Sequence, residues 1–387
     1  MSASLSHLQA QQPKHEDTTM SAAPAYDRTA ELRALDASLS GVYGLFVSGA
    51  THVPRIFHVP DQKQPLEAQE PSAETVPVID LGSSDRAAVV DAVRRAAAEW
   101  GFFQVTGHGV PDEAMDAAVA AVRAFHEGDG GEDSDKARLY SREPGKAVKY
   151  YCNIDLYQSP VANWRDTLYL RMAPDPPAAD DLPECCRQAS YLSLDALLEY
   201  AKQVKDLGDR LFELLSESLG LNPSYLTDIE CNQGQTIVGH YYPPCPEPEI
   251  AIGTSRHSDS GFLTIVLQDE IGGLQILREG RWVDVVPTPG AFVVNIGDLL
   301  QLISNDKFSS VEHRVVAKEA EPRVSIACFF STFYHPASTR MYGPIKELLS
   351  EDNPALYRET LVRDYVARYF SIGLDGKEKT ALNDFRL

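Results

Sequence analysis

Hydrophobic positions along this chain follow two regimes, and the change falls near residue 230. Before it the dominant period is helical. Leu194, Leu197, Leu198, Ala201, Val204, Leu207, Leu211, Leu214, Leu215 and Leu219 recur every 3.6 residues, predicting one long amphipathic helix that Asn222 and Pro223 end. Leu32, Leu35 and Leu39 share a face, predicting one short helix over 27–45 at the edge of a domain. The runs VPVIDLG (76–82) and GFFQVTGHGVP (101–111) read as strands. Each leads into a helix, one reaching Trp100 and the other running from about Pro111 to His126. After Glu230 the apolar runs shorten and Gly/Pro turns separate them: QTIVGHYYP, IAIGTSRH, FLTIVLQ, GGLQIL, RWVDVVP, AFVVNIG, SSVEHRVV and RVSIACFF. Closely spaced short strands of this kind predict a double-sheet jelly roll. A last amphipathic run, LVRDYVARYF (361–370), is placed to pack on it as a helix. The predicted class is α+β: a jelly-roll core flanked by helices, with a helical and strand-bearing N-terminal region.

Polar stretches divide these elements. Residues 1–24 are polar, 61–75 form a Pro- and Glu-rich linker, and 128–135 and 173–184 are acidic loops. The expected organisation is an N-terminal extension and linker (1–75), an N-terminal region (76–180), a long supporting helix (181–230), the jelly roll (231–335) and a C-terminal helical segment (336–387).

Charge narrows the partners. The chain has 56 acidic against 35 basic residues, a net charge of −21. A nucleic-acid surface or an anionic membrane needs a basic footprint, so both are disfavoured. The expected partner is a small molecule, for which a local basic pocket suffices. Six irregularly spaced cysteines (152, 185, 186, 231, 245, 328) form no disulfide framework and imply reduced thiols. The first twenty residues lack a basic start followed by an apolar run, and no segment has membrane length. A soluble, cytoplasmic protein is expected; oligomeric state is beyond the sequence. GHGVP is a turn and not a dinucleotide-binding loop.

The stretch GTSRHSDSGF (253–262) sets His257 and Asp259 two residues apart at a strand end. Such a pair can bind a metal, serve in acid/base chemistry or form a polar turn. Side chains i and i+2 of extended backbone share a side. His313 stands in another predicted strand, SSVEHRVV, and two such strands can face each other across a jelly-roll interior. Two imidazoles and a carboxylate then occupy one face of an octahedral metal, the two-His-one-carboxylate arrangement of non-haem Fe(II) oxygenases. Arg323 and Ser325, again i and i+2, offer a guanidinium fork and a hydroxyl to a carboxylate, and Tyr242 adds a phenol. An α-keto dicarboxylate, 2-oxoglutarate, fits both ends.

At this point the chain resembles the plant 2-oxoglutarate/Fe(II)-dependent dioxygenases over about residues 40–370. The resemblance rests on VPVIDL, WGFFQVTGHGVP, HYYPPCPEPE, RHSDSGFLTIVLQDEIGGLQI, NIGDLLQLISNDKFSSVEHRV and RVSIACFF. GATHVPRIFHVP and YQSPVANWRDTLYLRM are similar to the ACC-oxidase-homologue group, which includes the benzoxazinoid-glucoside dioxygenase of grasses. The resemblance implies Fe(II) held by His257, Asp259 and His313, with 2-oxoglutarate and O2 as co-substrates and ascorbate as reductant. Arg323, Ser325 and Tyr242 would hold the distal carboxylate of 2-oxoglutarate. The implied reaction is hydroxylation of a specialised metabolite, aromatic or heterocyclic, with a benzoxazinoid glucoside as the concrete case. Flavonoid, coumarin, alkaloid or gibberellin-type substrates are alternatives, and a non-catalytic jelly-roll binding protein is the rival of another class. His240 stands where the family often has Asn, and H-S-D replaces H-T-D.

Phe329 shares the inward face of Ser325, and Thr167 and Tyr169 share a face upstream, so these three are candidate pocket residues. His108, His126 and His335 read as surface or packing residues, and Arg94–Arg95 as a solvated helix face. Trp100, Phe102 and Phe103 read as core.

Overall fold

The computed structural model describes residues 26–60, 74–128, 131, 134–178, 194–332, 338–373 and 380–387. Residues 1–24, most of the predicted linker, Cys185, Cys186 and His335 lie outside them.

Helices α1 (Arg28–Ala37) and α2 (Gly41–Val47) open the chain. Strand β1 (Val78–Asp80), α3 (Arg86–Glu99), β2 (Phe102–Thr106), α4 (Asp112–Glu127) and α5 (Asp135–Leu139) follow. Next come β3 (Val148–Cys152), β4 (Asp166–Ala173), the long α6 (Leu194–Ser218) and α7 (Tyr225–Asp228). The β-rich half runs through β5 (Gln235–Tyr242), β6 (Ile252–His257), β7 (Leu263–Gln268), β8 (Leu274–Arg278), β9 (Arg281–Asp284) and β10 (Phe292–Ile296). After α8 (Asp298–Ile303) come β11 (His313–Val316), β12 (Arg323–Phe330), the short pair β13 (Met341–Tyr342) and β14 (Thr360–Leu361), and α9 (Val362–Ile372).

Each of the eight strands predicted after Glu230 is present, in two sheets. The larger has the order β1-β2-β10-β7-β12-β5-β4-β3 and the smaller β6-β11-β8-β9. Strands from before residue 180 therefore extend both edges of the larger sheet. One face of that sheet is covered by α3, α4 and α6. Their apolar stripes, including Val93, Ala97, Ala118, Val122, Val204, Leu207 and Leu211, bury against Ile237, Ile265, Val294, Ile326 and Cys328. The other face looks toward the small sheet, and the period of two decides which side chains reach it. In register, one row runs Thr167–His240–Ser325–Gln268, and the next Tyr169–Val238–Ala327–Val266–Val293–Gln104. A third runs Thr236–Phe329–Thr264–Asn295–Phe102.

Two local expectations change. The predicted helix over 27–45 is broken, because Leu39 takes a left-handed φ of 53° and Gly41 follows at 64°. Asp166 then accepts hydrogen bonds from the Val42 and Tyr43 amides at 2.8 Å each, capping α2 from across the fold. The histidine-bearing strands β6 and β11 do not face each other across the interior. They are antiparallel neighbours in the small sheet, with His313 directly opposite His257. The four described cysteines, 152, 231, 245 and 328, are free and buried.

Residues 26–60 are tied to the body through Trp164. Its ring is fully buried against Phe57 at 5.1 Å, edge to face, and its indole N–H donates to the Pro243 carbonyl at 3.1 Å. Trp164→Ala empties this contact and is expected to cost about 3–5 kcal/mol, as large aromatic truncations in cores do. Urea unfolding checks it, through a lower midpoint at unchanged slope.

Candidate functional site

His257 ends β6, His313 begins β11 and Asp259 lies just past β6, so strand pairing brings all three together. One ligand atom from each lies within 4.8 Å of the others. The Nε2 atoms of both imidazoles stand 3.7 Å from Oδ1 of Asp259. Their Nδ1 atoms are committed elsewhere: that of His257 donates to the Ser255 carbonyl at 2.8 Å, and that of His313 to the Val311 carbonyl at 3.2 Å. A carbonyl can only accept, so each Nδ1 carries a proton, and Nε2 is the ring nitrogen left to face the shared centre.

The carboxylate is divided in the same way. Its Oδ2 accepts from the Thr264 hydroxyl at 2.6 Å and from the Asn295 amide at 2.7 Å, leaving Oδ1 for the centre. Burial alone would raise the Asp259 pKa. The imidazoles and these two donors outweigh it and hold the group below its ordinary value, as the charged form. Burial, then the neighbouring His313, holds His257 well below the usual imidazole range and so neutral. Two imidazoles and one carboxylate, grouped on one side, are a donor set that fits a divalent metal with open positions.

Outer contacts brace the three. Arg256 and Glu312, next to the two histidines in sequence, form an ion pair that ties β6 to β11. Ser258 turns away from the centre and donates to Asp298 at 3.2 Å. Helix α9 packs there, as its amphipathic pattern suggested: the Tyr369 hydroxyl donates to the Ser258 carbonyl at 2.7 Å and that of Tyr365 to Asp298 at 2.6 Å. Asp298 returns a backbone N–H to the Asp259 carbonyl at 2.8 Å. Gly297 permits this close turn, because a β-carbon there would collide with the Gly261 carbonyl.

The centre opens into a cavity between the two sheets. Arg323, Ser325, Tyr242 and Phe329 line it, as do His240, Arg165, Phe102 and Thr254. Arg323 is buried, with its guanidinium 5.0 Å from the centre of the Tyr242 ring. It donates to Ser325 at 2.9 Å and to Gln268 at 3.1 Å, while its Nε has no partner among the described residues. An orphaned buried donor beside a serine hydroxyl is what a carboxylate would satisfy. Thr167 meets this site through its neighbour, its hydroxyl lying 3.0 Å from Nδ1 of His240. Tyr169 sits one row farther out, packed with Tyr151, Val238, Ala327 and Phe329, and Lys149 lies over its ring. His108 and His126 are buried packing residues, and exposed Arg94 and Arg95 pair with Asp91.

Four contributors had escaped the sequence reading. In the sequence Asn295 and Thr264 are ordinary residues of predicted strands, Phe102 reads as core and Arg165 carries no assigned role. Phe102 is buried, yet its ring meets that of His313 edge to face at 5.2 Å. Alternation gives the face of each within its own strand, and register then sets Asn295, Thr264 and Phe102 in one inward row. Asn295→Ala is expected to weaken metal binding about 10–100-fold, the usual effect of losing an outer hydrogen bond to a ligand. Fe(II) titration checks it, with the melting temperature as control.

Comparison with known proteins places the chain. Residues 233–332 match the 2OG-Fe(II) oxygenase superfamily, and residues 76–188 match the N-terminal region of non-haem dioxygenases in morphine synthesis. The 1-aminocyclopropane-1-carboxylate oxidase homolog 2 of Arabidopsis thaliana is 50% identical over 376 residues, covering 94% of this chain and 98% of the relative. Homolog 3 of the same plant is 49% identical over 377 residues, with the same coverage. The crystal structure of JOX2 in complex with 2OG, Fe and JA is 31% identical, with a TM-score of 0.74 over 90% of this chain and 97% of that one. The rice dioxygenase for auxin oxidation is also 31% identical, with a TM-score of 0.67 over 81% of this chain and all of that one.

Proposed function

The chain belongs to the 2-oxoglutarate/Fe(II)-dependent oxygenases of plants, in the ACC-oxidase-homologue group, and on that basis we propose that it hydroxylates an aromatic or heterocyclic specialised metabolite, a benzoxazinoid glucoside being the concrete case. It is an oxygenase that uses Fe(II) and 2-oxoglutarate. Bound iron supplies oxygen activation coupled to decarboxylation of 2-oxoglutarate to succinate. The protein's part is positional. In this reading His257, Asp259 and His313 hold iron through Nε2, Oδ1 and Nε2. Arg323, Ser325 and Tyr242 hold the distal carboxylate of 2-oxoglutarate, and the sheet walls keep water from the reacting atoms.

The observation that carries this reading is the divided Asp259 carboxylate together with the orphaned Arg323 donor in the same cavity. A binding module needs neither an open metal face nor a second anion anchor. Phe102 and Phe329 on the cavity wall support a planar substrate, with Thr167 and Tyr169 as the outer part of the pocket. No described helix is long and apolar enough to cross a membrane.

The test is succinate formation by the purified protein with Fe(II), 2-oxoglutarate, ascorbate and a grass metabolite extract. Succinate that depends on the extract is expected, and the depleted component names the substrate. Failure to bind both Fe(II) and 2-oxoglutarate would sink the reading.

A further inference from the structure

The cavity holds a second guanidinium, outside the set assigned to 2-oxoglutarate. Arg165 stands one residue before β4, at the seam between the two sheets, where the Trp164 amide donates to the Ile252 carbonyl of β6 at 2.8 Å. Its side chain lines the cavity, although the residue is only 7% exposed. One terminal nitrogen donates to the Thr254 hydroxyl at 2.8 Å, which in turn lies 3.1 Å from that of Tyr242. Its Nε is buried with no hydrogen-bond partner among the described residues, and no described carboxylate pairs with it. A buried arginine held by one neutral hydroxyl is costly unless an anion completes it.

Charge within the cavity points the same way. Among the side chains that line it, two are guanidiniums, Arg165 and Arg323, and one is a carboxylate, Asp259. Fe(II) and the 2-oxoglutarate dianion cancel each other. Two guanidiniums therefore face one carboxylate, and in the oxygenase reading Arg323 is already taken. From this geometry we infer that Arg165 is a specificity-determining residue that binds one acidic group, a carboxylate or similar monoanion, on the primary substrate. The inference rests on the oxygenase reading and narrows its substrate class. It orients such a substrate with the acid toward Arg165 and Thr254 and the ring toward Phe102 and Phe329.

The experiment uses anaerobic protein saturated with Fe(II) and 2-oxoglutarate, titrated calorimetrically with benzoate, phenylacetate and cinnamate, each beside its methyl ester. At least one acid is expected to bind about tenfold or more tighter than its ester, the scale of one charge-assisted contact. Arg165→Gln should erase that preference, and Arg165→Lys should restore part of it. The affinity for 2-oxoglutarate should stay within about twofold in both, which also shows an intact fold. Equal affinity for acid and ester in the wild type, or binding of neither, overturns the inference. So does a tenfold loss of 2-oxoglutarate affinity in Arg165→Gln, which would make Arg165 a ligand of the co-substrate. Failure of the wild type to bind Fe(II) and 2-oxoglutarate would instead sink the oxygenase reading itself.

Discussion

Asp259→Ala protein is expected to fold and to lose iron and turnover together. The substitution removes the one anionic ligand and leaves two imidazoles, which hold a divalent ion far more weakly. The loss in Fe(II) affinity should exceed the 10–100-fold that follows from disturbing an outer-shell partner alone. It also strands the Thr264 hydroxyl and the Asn295 amide, both of which donate to Oδ2. Each stranded donor costs about 1–3 kcal/mol, partly offset because a charge no longer has to be kept in a buried site. The measurement is Fe(II) binding beside succinate formation and thermal unfolding. Tight iron binding in the variant, with a normal melting temperature, would show that Asp259 is not a ligand. The Asn295→Ala protein is the useful comparison, since it keeps the ligand and loses only one hydrogen bond to it.

The second large effect belongs to Arg323. Arg323→Ala is expected to raise the Kd for 2-oxoglutarate by about 10²–10³-fold, which corresponds to about 3–4 kcal/mol. Fe(II) affinity in the absence of 2-oxoglutarate should be unchanged, because Arg323 is anchored on Ser325, Gln268 and the Tyr242 ring and not on the metal ligands. Arg323→Lys should recover only part of the loss, since an ammonium lacks the planar fork. Titration of 2-oxoglutarate into the iron-loaded protein separates the two affinities. A Kd unchanged in Arg323→Ala would move the distal carboxylate elsewhere, and Arg165 would be the next residue to test.

Much of this was legible in the chain itself. The switch from a period of 3.6 to a period of two near residue 230 marked the boundary between the supporting helix and the jelly-roll strands. Periodicity reports burial of one face, so it reads well for α6 and for β5–β12. The pairs His257/Asp259 and Arg323/Ser325 were legible because each is local, two residues apart on or beside one strand. The spacing to His313 added the third ligand.

What the sequence could not supply is what strand pairing and long-range contact decide. Register sets His313 opposite His257 within one sheet, where the sequence suggested strands facing across the interior. It also gathers Thr264, Asn295 and Phe102 into one inward row, although they come from three separate strands. The break after α1 is local, at Leu39 and Gly41, but the cap on α2 comes from Asp166, more than a hundred residues away. Arg165 shows the limit most clearly. Its type and position are plain in the sequence, but an arginine is exposed or buried, paired or orphaned, only by virtue of what folds around it. Local pattern determines which face of an element is apolar, because that depends on neighbours three, four or two residues apart. Only the tertiary structure decides which polar groups meet inside, because that depends on residues from distant strands sharing one desolvated space.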